Sequence, residues 1–560
     1  MNNKSFNPSG SGKLLIYGTT LALFYLPVMI VLAKAFLARD AFVHLGQFLG
    51  SRLFWNTLLF SVEEAFLSAV LSLLLALPGA YFFGRFDFPG KNIMRGIMVL
   101  PFMFPSIMVV LGMIVFYGNN GVFNHLLSSL ALGGSFRFTD LYGFWGIVLA
   151  HVFYNFTFCL RMLGESWQRI DAGLLEASHT LGANSFATWR RIVLPLLLPT
   201  MMYLLVLVFL YSFLSFTIVL VLGGYLYKTF EVLIYIDYNQ KLDFNRAAMI
   251  AAVQTVILAA VMSIQGFLSR RAKNLSESVL ELPKLNFKKF PLQTGIFGGY
   301  LICATFFLLG PFVTILGRSF HEGGAFNGSL TLANYGLLFQ DGFKFAVGKD
   351  FASMFRSSLF ISLAVSLLTV TLAYWFARDR RKQAWQNVDL WLQLPLGISF
   401  LTFAFGLFWF GRTLPSGVLV IWAQVFMIFP FVYSLLKTSR AELGDQLLDA
   451  AATLGANRKK AFWSVEFPIM KKSIVTALTY AMALSLGDLT AVLVLGRGEL
   501  ITIPVAIYRL IGHYRFAQAT ALGSLFILAA FIFFILLEAG KPHGIKKGPS
   551  RARLNVSSGQ

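Results

Sequence analysis

Residues 198–222 read LPTMMYLLVLVFLYSFLSFTIVLVL, a stretch without a single charged side chain. A helix needs about 20 mainly apolar residues to cross the hydrocarbon core of a bilayer, so this stretch predicts a transmembrane helix. Eleven further stretches of this kind lie near 14–37, 56–83, 96–117, 143–163, 246–268, 292–316, 354–377, 389–411, 417–437, 473–495 and 516–538. The sequence therefore predicts an all-α polytopic membrane protein with about twelve transmembrane helices.

The composition agrees with a chain whose main solvent is lipid. Of its 560 residues, 57% are hydrophobic and 13% are charged, whereas soluble domains carry about 25% charged residues. Although the formal net charge is +21, most Lys and Arg fall in the tails and in alternate loops, as at 270–273, 378–382 and 458–460. By the positive-inside rule this pattern predicts a multi-pass inner-membrane protein with both termini in the cytoplasm. The expected partner of the basic loops is membrane lipid, not nucleic acid.

Two features bear on processing and oxidation. The first apolar stretch is too long, and lacks the small-residue cleavage site, for a removable signal peptide. Cys159 and Cys303 both lie inside predicted spans, so no disulfide is expected.

The chain repeats itself. A shift of 273 residues aligns 151–235 with 424–508 without a gap, and places Thr180-Leu181-Gly182-Ala183-Asn184 on Thr453-Leu454-Gly455-Ala456-Asn457. An earlier match, 57–59 with 358–360, needs a different shift. We therefore predict two parallel repeats, 1–285 and 286–560, joined by the polar stretch 269–291. Such repeats are typical of transporters, where the substrate path lies between the halves; the alternative is a duplication without a shared pathway.

The best-matched part of the repeat is a loop after the fourth span of each half. In both copies a carboxylate, Glu176 or Asp449, lies six residues before a glycine and nineteen before a proline. Leu174, Ala177 and Leu181 form one apolar stripe on a short helix, and the glycine allows the chain to turn into a second helix. This predicts a protruding helix–turn–helix; the alternative is an amphipathic helix lying on the membrane.

This pattern resembles the EAA loop of permease subunits in binding-protein-dependent ABC importers. The resemblance covers both halves and implies EAA loops at about 172–200 and 445–472, which dock on two copies of a separate ATPase, and a periplasmic substrate-binding protein as a further partner. Carried onto this chain, it assigns the ATPase-coupling role to six residues: Glu176, Ala177, Gly182, Asp449, Ala450 and Gly455. The second copy departs from the pattern with Asp449 for Glu and Phe467 for Leu, which leaves open whether the two docking sites are equivalent.

The chain has no ATP site of its own in the sequence. The segment Gly10-Ser11-Gly12-Lys13 looks like the end of a P-loop, but Asn7 and Leu14 replace residues that the phosphate cradle and the Mg²⁺ ligand need. We interpret it as part of a flexible N-terminal tail. The chain is then a transport subunit and not an enzyme, with no bound cofactor, and ATP and Mg belong to the partner ATPase.

Two further stretches are similar to thiamine ABC-transporter permeases. They are 117–121 with 142–155, and 484–489 with 507–515, and the likeness in length and fused plan extends over most of the chain. Thr157 departs from this pattern, where proline is expected. The resemblance implies import of thiamine or its phosphate esters, and ferric-iron permeases, which share the fused plan, are the alternative.

Few polar residues lie inside the predicted spans. Asp488, an ionisable group in a span, is a candidate for the substrate path, because a carboxylate or an aromatic face attracts the thiazolium cation. The alternative is that Asp488 pairs with a neighbouring helix or caps a helix break at Gly487. His151 and Asn155 share a helix face, which indicates either a substrate contact or hydrogen bonding between helices. Glu63 and Glu64 point about 100° apart, so at most one of them can line the path; the simpler interpretation is that they extend toward the outer membrane surface.

Two other function classes compete with this interpretation. An ion-coupled secondary transporter also has repeated halves, but it would not need paired docking loops. A membrane-embedded enzyme would need a catalytic constellation, and neither that nor metal-ligand spacing is evident in the sequence.

Overall fold

The computed structural model of the chain describes residues 10–540, apart from 38–40, 92, 97, 99–103, 131–137, 273–290, 325–327, 379–390, 412 and 444–445. The basic clusters within 273–290 and 379–390, and most of the predicted linker 269–291, lie outside the described residues. The described residues are mainly helical and include an isolated β-bridge between His321 and Leu330.

The described residues of the first half include these α-helices: α1 (Gly10–Leu37), α2 (Ala41–Leu49), α3 (Arg52–Arg85), α4 (Ser106–Tyr117), α5 (Val122–Leu130), α6 (Phe144–Gln168), α7 (Ala172–Thr180), α8 (Ser185–Thr188), α9 (Leu194–Phe213), α10 (Thr217–Leu222), α11 (Phe230–Tyr235) and α12 (Phe244–Ala272). A short 3₁₀ turn, Asp140–Tyr142, precedes α6, and π turns occur at Trp189–Val193 and Ile236–Gln240. Because α1 begins at Gly10, the segment Gly10–Lys13 is helical, and its interpretation as part of a flexible tail was wrong.

Those of the second half include α13 (Pro291–Ser319), α14 (Ala333–Gly336), α15 (Asp341–Val347), α16 (Phe351–Ala377), α17 (Phe400–Phe410), α18 (Ser416–Leu443), α19 (Gln446–Thr453), α20 (Arg458–Ala461), α21 (Phe467–Gly487), α22 (Thr490–Leu495), α23 (Ile503–Gly512) and α24 (Phe516–Gly540). Three 3₁₀ turns, Glu322–Gly324, Leu337–Phe339 and Leu394–Gly397, and a π turn, Phe462–Glu466, complete it. Corresponding helices start alike: Ser51 caps α3 and Asp350 caps α16, each accepting a backbone N–H three residues on.

The predicted all-α membrane fold is confirmed. Ten helices of the described residues are long and apolar enough to cross a membrane, and Phe400–Trp409 and Phe516–Ile532 are shorter apolar helices at two further predicted spans. Among the described residues of the predicted span 96–117, positions 96, 98 and Ser106–Tyr117 are helical. Because the loops 172–194 and 446–467 are separated by an even number of spans, they lie on the same side of the membrane.

Two predicted spans are broken. The span predicted at 198–222 ends at Phe213 and resumes at Thr217, and the span predicted at 473–495 ends at Gly487 and resumes at Thr490. The 273-residue shift superimposes the two breaks. A backbone group freed by a break needs a partner inside a membrane, and in the first half the Ser215 carbonyl accepts a hydrogen bond from Thr229 Oγ1 at 2.9 Å.

The first helix of each half packs against a helix of the other half. Pro27 of α1 lies against Gly406 of α17, where an added Cβ would come within 2.0 Å of the Pro27 carbonyl oxygen. In the mirror contact, Pro311 of α13 lies against Gly112 of α4, where an added Cβ would meet the Pro311 Cβ at 2.8 Å. Small residues at such positions let helix backbones approach closely. The two halves are therefore interlocked through a pair of equivalent contacts.

Candidate functional site

The predicted docking loops fold as two copies of one helix–turn–helix. In the first, α7 ends near Leu181, Gly182 adopts a positive φ of 83°, and Asn184 Oδ1 accepts the Ala187 N–H at 2.8 Å to start α8. In the second, Gly455 has φ of 80° and Asn457 Oδ1 accepts the Lys460 N–H at 2.8 Å. A positive φ is readily adopted only by glycine, so each glycine allows its turn.

The apolar stripe of each loop points away from the rest of the chain. Leu181 is 87% exposed and Leu454 is 88% exposed, and Leu174 and Leu447 are each half exposed. The opposite face of the first loop is covered, since Leu175 is buried. Exposed large apolar side chains on a rigid protrusion are typical of a protein-interaction surface.

The coupling residues named from the sequence lie on this exposed surface. Side chains of Glu176, Ala177, Asp449 and Ala450 are all exposed, and the two glycines form the turns. The structure brings each trio together within one loop. Their role in binding an ATPase stays a prediction.

Asp488 occupies the helix break of the second half. Its carboxylate accepts the backbone N–H groups of Thr490 at 3.1 Å and Ala491 at 3.0 Å, so it caps α22. Gln424 Nε2 of α18 donates to its Oδ2 at 2.9 Å, and the Ser485 hydroxyl donates to the Gln424 side-chain carbonyl at 2.5 Å. The side chain is half-buried, and the cap that the sequence offered as an alternative is present.

The break also lies against the other half. An added Cβ at Gly487 would come within 2.7 Å of Pro105 Cγ, at the start of α4. Asp488 is therefore adjacent to the contact between the halves.

His151 and Asn155 belong to a buried polar cluster of the first half. His151 Nδ1 pairs with Glu64 Oε1 of α3, and both side chains are almost completely buried. The Ser68 hydroxyl also donates to Glu64 Oε1, at 3.0 Å. Asn155 Nδ2 donates to the His151 carbonyl at 2.9 Å and approaches Ser212 Oγ of α9 at 3.5 Å. The predicted bonding between helices is present, and a substrate contact stays a prediction.

Glu64 was misjudged from the sequence, whereas its neighbour was not. Glu63 is exposed, but Glu64 is fully buried inside the protein and does not extend to the membrane surface. The physical reason is the His151 side chain, which offers a partner across the α3–α6 contact and offsets the cost of burying a carboxylate.

The hydrogen bonds of the described residues thus group the candidates into two clusters, one per half. The 273-residue shift places Gln424 on His151, Ser485 on Ser212 and Asp488 on Ser215. Sequence reasoning missed Gln424, Ser485 and Ser212, although this shift could have identified them. Among the described residues, no group of three or more His, Cys, Asp or Glu side chains could hold a metal ion, and the two cysteines are free thiols.

Comparison with known proteins points to one kind of membrane protein. Residues 76–274 and 350–541 each match the family described as binding-protein-dependent transport system inner membrane component. The thiamine transport system permease protein ThiP of Escherichia coli (strain K12) is 26% identical over 498 residues, covering 86% of this chain and 88% of its own length. Its counterpart in Salmonella typhimurium is 28% identical over 502 residues, with the same coverage. The ferric transport system permease protein FbpB of Actinobacillus pleuropneumoniae is 25% identical over 518 residues, covering 88% of this chain and 72% of its own length.

Proposed function

The chain belongs to the family of binding-protein-dependent transport system inner membrane components, and on this basis we propose that it forms the whole transmembrane part of an ATP-driven thiamine importer. The family match occurs twice in one polypeptide, so a single chain supplies both halves of the permease. It is a multi-pass inner-membrane transport subunit, and its family implies a substrate-binding protein and an ATPase as partners.

The substrate proposal is thiamine, with its phosphate esters included. Relatives named as thiamine permeases match 86–88% of this chain and 88% of their own length. The ferric permease matches less of its own length and at lower identity. This difference favours thiamine over ferric iron, which remains the second candidate.

The docking of the ATPase is supported by the two exposed apolar stripes. Both loops are on one side of the membrane, and each presents a leucine that is almost fully exposed. We assign one ATPase copy to each loop, with Glu176, Ala177 and Gly182 at the first and Asp449, Ala450 and Gly455 at the second. With both termini in the cytoplasm, as the basic loops favour, the docking loops face the cytoplasm, and the basic loops contact anionic lipid there. No cofactor binds this chain in the proposal, since ATP and Mg are held by the ATPase.

The pathway proposal places Asp488 next to the substrate. Its half-buried carboxylate lies beside the contact between the halves, where transporters of this plan hold their substrates. A carboxylate there would attract the fixed positive charge of thiamine. His151 and Asn155 occupy the corresponding level of the first half through the repeat, and we include them as secondary candidates.

Alternating access then follows from binding energy. A binding protein would deliver substrate at the loops 118–142, 223–245, 317–353 and 496–515. ATP binding would close the two ATPases and rock the halves, since a ligand shifts an equilibrium by its differential affinity for the two states.

Uptake by proteoliposomes tests the function. Vesicles holding the chain with its ATPase, supplied with the binding protein, should accumulate labelled thiamine only when ATP is enclosed on the ATPase side. Labelled ferric iron in the same vesicles is the matched control. Accumulation of iron without thiamine would replace the substrate proposal, and accumulation independent of ATP would favour a secondary transporter.

Docking is tested by single and double variants. Leu181→Asp and Leu454→Asp each place a charge in one exposed stripe. Each single variant should retain about half of the co-purified ATPase, and the double variant should retain almost none. Full retention in the double variant would remove the docking assignment.

A further inference from the structure

Glu466 is a buried carboxylate at the point where the second docking loop enters the membrane. It ends the π turn Phe462–Glu466, which joins α20 to the long helix α21, and its side chain is fully buried. A lone carboxylate is costly in such a place, so its partners are informative.

Three side chains from two other spans surround it. The Tyr374 hydroxyl donates to Oε1 at 2.6 Å, and Arg378 Nη2 lies 2.9 Å from Oε2; both belong to the C-terminal end of α16. Arg440 Nε of α18, itself almost fully buried, lies 3.5 Å from Oε1. The Arg378 guanidinium also lies over the Phe462 ring, 5.1 Å from its centre. The loop is therefore tied to α16 and α18 by one carboxylate.

Buried charges of opposite sign resist separation. If the loop moved relative to α16 or α18, the carboxylate and at least one guanidinium would lose their partners in a medium of low dielectric constant, and this is strongly unfavourable. Hydrogen bonds to charged groups are also directional and stronger than neutral ones. The loop and the two spans should therefore move as one body.

Among the described residues, no ion pair of this kind joins the first loop to its neighbouring spans. The 273-residue shift places Val193 at the position of Glu466 and Trp167 at that of Arg440, and both are buried. The earlier shift of 301 places Leu73 and Leu77 at Tyr374 and Arg378. Apolar contacts are not directional, so the first loop can adjust against its spans without separating charges.

We propose that Glu466 is a positioning residue that transmits the movement of the second docking loop to α16 and α18, and that the two loops therefore transmit force unequally. This inference rests on the proposed docking of an ATPase at each loop. At the same two positions the first loop carries Val193-Leu194 and the second carries Glu466-Phe467.

Hydrogen exchange on the full chain in detergent tests the connection without any partner. In Glu466→Gln, which keeps the shape and loses the charge, backbone amides of 446–467 should exchange about tenfold faster, as expected when a charge-assisted bond is lost. Amides of 172–194 serve as the internal control and should not change. Tyr374→Phe, which removes one hydrogen bond and leaves both ion pairs, should show a smaller acceleration in the same segment.

The proposed role of Glu466 is tested by the coupling ratio, which is the number of thiamine molecules imported per ATP hydrolysed. In proteoliposomes with ATPase and binding protein, thiamine molecules imported per ATP hydrolysed should fall at least fivefold in Glu466→Gln, while ATP hydrolysis and the amount of bound ATPase persist. Val193→Ala, the matched change in the first loop, should keep the wild-type ratio. A loss of folding alone would lower uptake and hydrolysis together and leave their ratio unchanged.

The outcomes separate the two proposals. If the wild-type vesicles import no thiamine, the proposed function is wrong, and the exchange experiment still decides whether Glu466 anchors the loop. If the wild type imports thiamine and Glu466→Gln keeps both its exchange rates and its coupling ratio, the inference is overturned. Should Glu466→Gln fail to fold, Tyr374→Phe must show the faster exchange and a lowered ratio, and wild-type values there would overturn the inference equally.

Discussion

The buried pair of His151 and Glu64 offers the sharpest test of the packing inside the first half. Replacing His151 with leucine keeps a large apolar side chain between α3 and α6 but removes the main partner of a carboxylate that is fully buried. The one hydrogen bond that the structure still gives Glu64 is that from the Ser68 hydroxyl at 3.0 Å.

The expected loss of stability follows from the hydrogen bonds that Glu64 keeps in this variant. Removing one partner of a buried hydrogen bond costs about 1–3 kcal/mol, because the other group is left unsatisfied. The single remaining hydroxyl donor contributes about 1.5–3 kcal/mol and is already present in the wild type. We therefore expect His151→Leu to lower the free energy of unfolding by about 1–3 kcal/mol.

The second half of the chain suggests a double variant that should restore the stability lost in His151→Leu. At the positions of Glu64 and His151 it has Val365 and Gln424, and Val365 is completely buried. The double variant Glu64→Val with His151→Gln therefore copies an arrangement that the fold already contains. Removing both members of a buried pair is often nearly neutral, so the double variant should regain most of the stability that His151→Leu loses.

Unfolding of the purified chain by SDS titration measures both effects. Glu63→Gln is the matched control, because its side chain is the exposed neighbour, and we expect a change within about 0.5 kcal/mol. A His151→Leu variant as stable as this control would refute the stabilising contact between His151 and Glu64. A double variant no more stable than His151→Leu would refute the role of charge and leave only packing.

Three further predictions concern the docking loops, the contact between the halves and the pathway. Gly182→Val and Gly455→Val force a β-branched residue into a positive φ at a cost of about 1–3 kcal/mol, so each should lower the amount of ATPase that co-purifies; undiminished binding would argue against the turn. Gly406→Ala places a Cβ within 2.0 Å of the Pro27 carbonyl oxygen and should destabilise the chain by about 1–3 kcal/mol, seen as a lower midpoint of thermal unfolding. Asp488→Asn keeps a capping oxygen and should stay as stable as the wild type, whereas Asp488→Ala should lose about 0.5–2 kcal/mol. If the carboxylate attracts the substrate, both variants lose thiamine uptake; if only the alanine variant does, Asp488 is a cap and no more.

The fold was accessible from the sequence where hydrophobicity alone decides it. The length of the apolar stretches predicted the spans, and the repeat predicted that the two loops would have the same geometry. The breaks at Ser215 and Asp488 were not predicted as a pair, because the residues around them are as apolar as the spans themselves. Whether a backbone group leaves the helix there depends on partners such as Thr229, which come from elsewhere in the chain.

The candidate sites also combine features that the sequence predicts with contacts that it does not predict. His151 and Asn155 are on one helix, so their common face could be predicted from spacing. The partner of His151 could not, since Glu64 lies 87 residues away on another helix. Glu466 carried no signal in the motif itself, because the EAA pattern leaves that position open, and its meaning came only from Arg378 and Arg440 on neighbouring spans.

The interlocking of the first helices also has a consequence for the time course of synthesis. The indole Nε1–H of Trp422 donates to the Leu23 carbonyl at 3.2 Å, and the two residues are 399 positions apart. Phe24 likewise packs edge-on against Phe426 and Phe429. The helix α1 leaves the ribosome first. At about 5–20 residues per second, the ribosome then needs roughly 20–80 s to reach Trp422, its partner in the second half. During that interval α1 has its contacts with α2 and α12 of its own half but not those with the second half, so the packing around α1 is complete only after most of the second half has been translated.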